Sequence, residues 1–210
     1  MAERISGSRS SLRSRTVQLV EIAVLVAIII IMAFTPLGYL KIGVVSITFI
    51  TIPVVVGAIH LGPGAGAFLG GVFGATSLIQ CFGMDFFGTT IFSISPIGTI
   101  ALTLVPRILM GFLVGLIFRA LEKIDRTKIV SFGVASMSGA LLNTALFIGG
   151  FFLFFLPFAN EISESFGSSL VVLVGSMLTL NALIEAAVCL VVGGAISKAL
   201  SKFFASRHNI

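Results

Sequence analysis

From residue 17 onward the chain is a series of long apolar runs, broken by tight Gly/Pro pairs and short charged clusters. A helix needs about 20 mainly apolar residues to cross the hydrocarbon core of a bilayer. Six windows meet that demand: 17–34, 44–61, 64–81, 96–121, 129–156 and 168–200. The pattern predicts an all-α fold, a six-helix transmembrane bundle, with a tight turn at Gly62-Pro63 and longer connections over 35–45 and 82–95. Those longer connections carry Gly and aromatic residues and suit loops that cover a pocket. Tyr39, Lys41 and Asp85 would lie at its mouth as gating residues, with Gln80 beside them as a residue that binds the solute.

The charges set an orientation. Arg4, Arg9, Arg13 and Arg15 precede the first run, Arg119, Lys123, Arg126 and Lys128 separate the fourth from the fifth, and Lys198, Lys202 and Arg207 follow the sixth. Basic flanks stay on the cytoplasmic side, and six crossings put all three clusters on that side, so both termini are expected in the cytoplasm. Lys41, Asp85, Glu161 and Glu164 fall on the opposite face. The organisation expected is a basic tail over 1–15, one membrane domain over 16–203 and a short tail over 204–210. No small-residue cleavage pattern follows the first run, which therefore reads as a retained helix rather than a signal peptide. With 57% hydrophobic and 10% charged residues in 210, the chain has too much apolar surface for a small water-soluble globule. The net charge of +5 is accordingly a topology signal, not a nucleic-acid footprint. Cys81, Cys189, His60 and His208 have no metal-ligand spacing, so neither a metal nor a cofactor is expected.

Small residues mark where helices touch. Gly66, Gly70 and Gly74 form one ridge, Ala67, Gly71 and Ala75 its neighbour, and Gly111 and Gly115 continue the theme in the fourth run; in lipid, such ridges let backbones approach. Ala23 and Ala27 fit the same spacing, and composition alone leaves their role open. Polar groups in the apolar runs are more telling. Arg107 sits midway along the fourth run, directly after Pro106, where an Arg costs about 2.5–3.5 kcal/mol on insertion scales. Glu185 and Asn181 on the sixth run and Asn143 on the fifth lie at similar depth. Two readings stand: Arg107 and Glu185 pair with each other, or Arg107, Asn143, Asn181 and Glu185 line a polar chamber in which the guanidinium fork meets a solute's carboxylate or carbonyl. An intramembrane enzyme would need a nucleophile with a base at membrane depth, and neither His is mid-helix. A stand-alone secondary transporter would show internal repeats, and no convincing one links the halves.

The stretch FTPLGYLKIGVVSITFITIPVVVGAIHLGPGAGAFLGGVFGAT over 34–76, with VPRILMGFLVGLIF over 105–118, resembles the S components, the substrate-binding membrane subunits, of energy-coupling factor (ECF) vitamin transporters. The resemblance implies a non-enzymatic subunit of a bacterial plasma membrane that captures a vitamin from outside, between the outer loops and the outer halves of helices four to six. It implies assembly with a transmembrane coupling subunit and two ATPase subunits, since no G-x-x-x-x-G-K-[ST] loop is present in this chain. It also makes Ala23-x-x-x-Ala27 the docking face for the coupling subunit. The start MAERIS lacks the Met/His arrangement of cobalt and nickel members, and with no Trp and one Tyr there are few platforms for a flat heterocycle. The local sequence is most similar to the pantothenate members, so pantothenate is the expected solute, another vitamin or precursor the alternative within the family, and a stand-alone secondary transporter the one outside it.

Overall fold

The computed structural model describes the backbone of residues 2–42, 45–125, 129–166 and 181–207. Helix α1 (Ala2–Ala33) leads into a hairpin of β1 (Tyr39–Ile42) and β2 (Val45–Thr48), then α2 (Thr51–Leu61), α3 (Pro63–Gln80) and the short α4 (Phe86–Ile94). After these come α5 (Pro96–Leu121), α6 (Ile129–Phe155), a 3-10 turn (Leu156–Phe158) and α7 (Ala159–Phe166). The last helix is described as α8 (Asn181–Val188), a π-helical turn (Cys189–Gly193) and α9 (Gly194–Arg207).

The fold is helical, as expected, apart from the small antiparallel hairpin, in which Tyr39 faces Thr48 and Ile42 faces Val45. Among the described residues, four helical stretches are long and apolar enough to cross a membrane: Arg15–Ala33, Pro96–Leu121, Ile129–Glu164 and Ala182–Ser201. The 44–61 window is not one long helix. Val45 and Ile47 alternate with Ser46 and Thr48, and that period of two makes strand, leaving α2 only 11 residues. The 82–95 connection is likewise not all loop, because Asp85 caps α4 by accepting from the Gly88 N–H at 2.8 Å. The backbone is already helical from Ala2, so the basic segment is continuous with the first apolar run. Part of the 168–200 window, and Arg126, Lys128 and His208, lie outside the described residues.

Breaks between helices follow local chemistry. Gly62 turns at φ 94°, a conformation that suits only glycine, and Pro63 then starts α3 where a missing N–H costs nothing. Ser95 caps α5 and Pro96 opens it. The main core joins Ile29 of α1, Val54 and Val55 of α2, Leu69 and Phe73 of α3, Met110 and Val114 of α5, and Phe132 of α6. A second core joins Ile91, Leu102, Phe151, Phe155 and Ile162.

The α3–α5 contact is the closest in the fold. A Cβ on Gly66, Gly70 or Gly74 would strike the carbonyl oxygens of Gly111, Arg107 and Thr103 respectively, so the two backbones touch along three turns. Contacts also sort the two ends of the bundle. The Arg119 side chain lies against Gly62, and the His60 imidazole Nε2 is 3.1 Å from the Ser197 carbonyl, so the α2–α3 turn, the end of α5 and α9 share one end. At the other, Gln80 donates to the Ala33 carbonyl and Gly98 faces Phe155.

Candidate functional site

Pro106 stands inside α5 and has no N–H to give the Leu102 carbonyl one turn back. The side chain of the next residue takes that place: Arg107 Nη1 donates to Leu102 O at 2.7 Å. The Pro-Arg dipeptide thus frees an acceptor and supplies its donor, which draws the guanidinium back along its own helix. There it lies over two phenyl rings, Phe73 of α3 with its centroid 5.6 Å away and Phe147 of α6 at 5.0 Å. Its Nε is buried and makes no hydrogen bond.

Asn143 is one turn before Phe147 on α6 and is 8% exposed. Its Oδ1 is also buried without a hydrogen bond. Among the described residues, Arg107 Nε thus has no acceptor and Asn143 Oδ1 no donor, and Asn143 shares α6 with Phe147, one turn away.

Glu185, 3% exposed, does not form an ion pair with Arg107. Its Oε1 accepts the Thr48 N–H at 2.6 Å, tying α8 to the end of the hairpin. The carboxylate still acts on the guanidinium electrostatically from that position. Direct mutual pairing, one of the two readings of the sequence, is thus replaced by two separate anchorages. The unforeseen hairpin is the reason: it brings a backbone donor to Glu185.

The remaining candidates make contacts of their own. Tyr39 reaches across from β1, its hydroxyl 3.4 Å from Ser77 Oγ on α3. Burial pushes the phenol above its ordinary pKa, against the pull of the Ser77 contact, so it stays a neutral O–H. Gln80 spends its amide donor on the last turn of α1 and Asp85 spends its carboxylate capping α4. Gln80 thereby ties the end of α3 to α1, and Asp85 fixes the start of α4. Asn181 opens α8 and Lys41 lies in β1, but their side chains are outside the described residues. Ala23 and Ala27 sit on the exposed face of α1 with Val20, Val24 and Ile31, opposite the inward-facing Ile22, Leu25 and Ile29. Two open grooves, of about 370 Å³ at Gly133 and Lys198 and about 540 Å³ at Gly149 and Leu153, do not touch Arg107.

Phe73, Phe147, the Leu102 carbonyl and the Thr48 N–H were not among the residues expected here. Two of them had a signal. Pro106 implies a free carbonyl four residues earlier, and Phe147, Phe151 and Phe155 continue the Asn143 face at a spacing of four.

Residues 17–196 match the family model described as the substrate-specific component of ECF transporters. A similar protein is the pantothenic acid transporter PanT of Lactococcus lactis subsp. cremoris (strain MG1363), 31% identical over 166 residues, which are 74% of this chain and 78% of that protein.

Proposed function

The chain belongs to the substrate-specific components of ECF transporters, and on that premise we propose that it captures pantothenate for an ATP-driven importer. One observation carries the choice of solute: a guanidinium that has no carboxylate partner among the described residues and whose buried Nε is unbonded, while Asn143 on α6 has an unbonded, buried Oδ1. A cation in an apolar interior must be compensated. Two phenyl faces and one carbonyl compensate only part of it, because a ring attracts the charge but accepts no N–H in the plane. A carboxylate completes the set with paired, charge-assisted bonds. Pantothenate carries that carboxylate together with an amide and hydroxyls, and Asn143 Oδ1 offers an acceptor for one of those donors.

The hairpin and α4 end is the outward face in this reading, and the end carrying Arg119 and Lys198 is cytoplasmic, in keeping with the rule that basic flanks stay inside. Glu185 ties the hairpin to α8 through Thr48 and Tyr39 ties it to α3 through Ser77, so the outer cover is pinned to two helices, while Asp85 caps α4. With no nucleotide-binding loop in the chain, the driving energy comes from two ATPase subunits through a transmembrane coupling subunit. The flat exposed stripe at Ala23 and Ala27 is the docking face for that subunit, since small side chains admit close helix approach in lipid.

Equilibrium binding of labelled vitamins to the purified protein in detergent tests the capture reading. Tight, one-to-one binding of pantothenate is expected, undisturbed by excess riboflavin, thiamin or biotin. Preferred binding of one of those, or solute uptake by the isolated chain in liposomes without ATP, refutes it. Ala23→Leu with Ala27→Leu should keep solute binding while the coupling subunit no longer co-purifies. Unimpaired co-purification removes this docking face.

A further inference from the structure

We infer that Phe147 is a positioning residue which holds the Arg107 guanidinium edge-on to the solute and thereby sets the preference for a carboxylate over a neutral head group. The inference rests on Arg107 being the carboxylate's partner. A cation this deep is ordinarily answered by an acid. Here the answer comes instead from rings, Phe147 at 5.0 Å and Phe73 at 5.6 Å. An aspartate in their place would neutralise the charge and occupy its donors. A ring lowers the cost of the charge and uses none of the five N–H donors of the fork. Among the described residues the Leu102 carbonyl alone takes one of them, leaving Nε–H unbonded.

Phe147 is itself held in place. Its centroid is 6.4 Å from Phe151, nearly parallel at 16°, and 6.4 Å from Phe87 of α4. Phe87 also contacts Phe151 at 5.9 Å, and Phe151 stacks on Phe155 at 5.3 Å. Phe151 and Phe155 are fully buried, at 2% and 0% exposure. The ring over Arg107 is therefore the last member of a packed aromatic row that runs up α6 and is braced by α4. Phe73 is equally fixed, at 1% exposure in the main core. The guanidinium lies against two rings that are themselves packed on neighbouring rings or in the core, and on this reading its plane is set before the solute arrives. A planar bidentate acceptor gains most from that arrangement, because both of its bonds depend on the orientation of the fork. An alcohol, with a single freely rotating O–H, gains little.

The test compares pantothenate with its neutral alcohol analogue, pantothenol, by equilibrium binding to the purified protein. Phe147→Leu is expected to weaken pantothenate about tenfold, the size of one buried cation–π contact, and pantothenol less than about twofold on the same ground, since the alcohol does not use the set plane. Phe147→Tyr, which keeps a ring, should restore the preference. Where the leucine variant does not fold, Phe147→Met fills the space without a ring and is expected to give the same split. Equal losses for both solutes would show ring packing alone and overturn the inference, as would no loss for either. Arg107→Ala separates the two levels: if it leaves the pantothenate preference intact, the reading of Arg107 fails first.

Discussion

Arg107→Ala is expected to weaken pantothenate binding at least about 100-fold, the loss of two charge-assisted hydrogen bonds worth roughly 1.5–3 kcal/mol each, while the protein stays folded. The second half of this expectation follows from the partners that Arg107 has. Among the described residues its hydrogen bond is to the Leu102 carbonyl, and losing that donor leaves one buried acceptor unpaired, at about 1–3 kcal/mol. Glu185 keeps its bond to Thr48 and is not stranded. Had the two charges been paired directly, removing one would leave a buried carboxylate alone, at about 3–5 kcal/mol. Thermal unfolding in detergent alongside the binding isotherm distinguishes the cases. A variant that still binds but melts far earlier would make Arg107 a structural residue and remove the basis for the solute assignment. Arg107→Lys sharpens the test. It keeps the charge and loses the fork, so an affinity between those of wild type and Arg107→Ala is expected.

Much of this site was legible without coordinates because polar residues in apolar runs are conspicuous. Arg107, Asn143 and Glu185 stand out by the cost of burying them, and α5 spans the residues 96–121 that its apolar run predicts. What was not legible is pairing. A hydropathy window averages over position, so it read Val45 to Thr48 as part of a long helix and passed over their alternation. The hairpin then supplies the N–H that takes Glu185 away from Arg107. Phe147 and Phe73 were hidden for a different reason. In a chain with 20 Phe residues, no single ring is distinctive until its distance from a cation is known.

The backbone contact beneath Arg107 yields the most severe expected effect. Gly70→Val should lower the unfolding midpoint on the order of 10 °C, from overpacking worth about 3 kcal/mol or more, and abolish solute binding with it. A Cβ at Gly70 would fall on the carbonyl of Arg107 and close to the Cα of Ile108. Those are backbone atoms and cannot rotate aside, so α3 must move away from α5. Gly66 against Gly111 and Gly74 against Thr103 would be pulled apart in the same movement. Phe73, three residues beyond Gly70 on α3, would leave the guanidinium. The next residue provides the control. A Cβ at Gly71 meets only side-chain atoms of Ile108, at 3.6 Å, an ordinary contact. Gly71→Ala should therefore be neutral or stabilise slightly, by roughly 0.5–1 kcal/mol from the better helix former. The two variants differ by one position on the same helix, so equal melting and equal binding in both would show that α3 and α5 are not held by this ridge. Loss confined to the Gly70 variant ties the placement of Arg107 to the absence of a single side chain on the neighbouring helix.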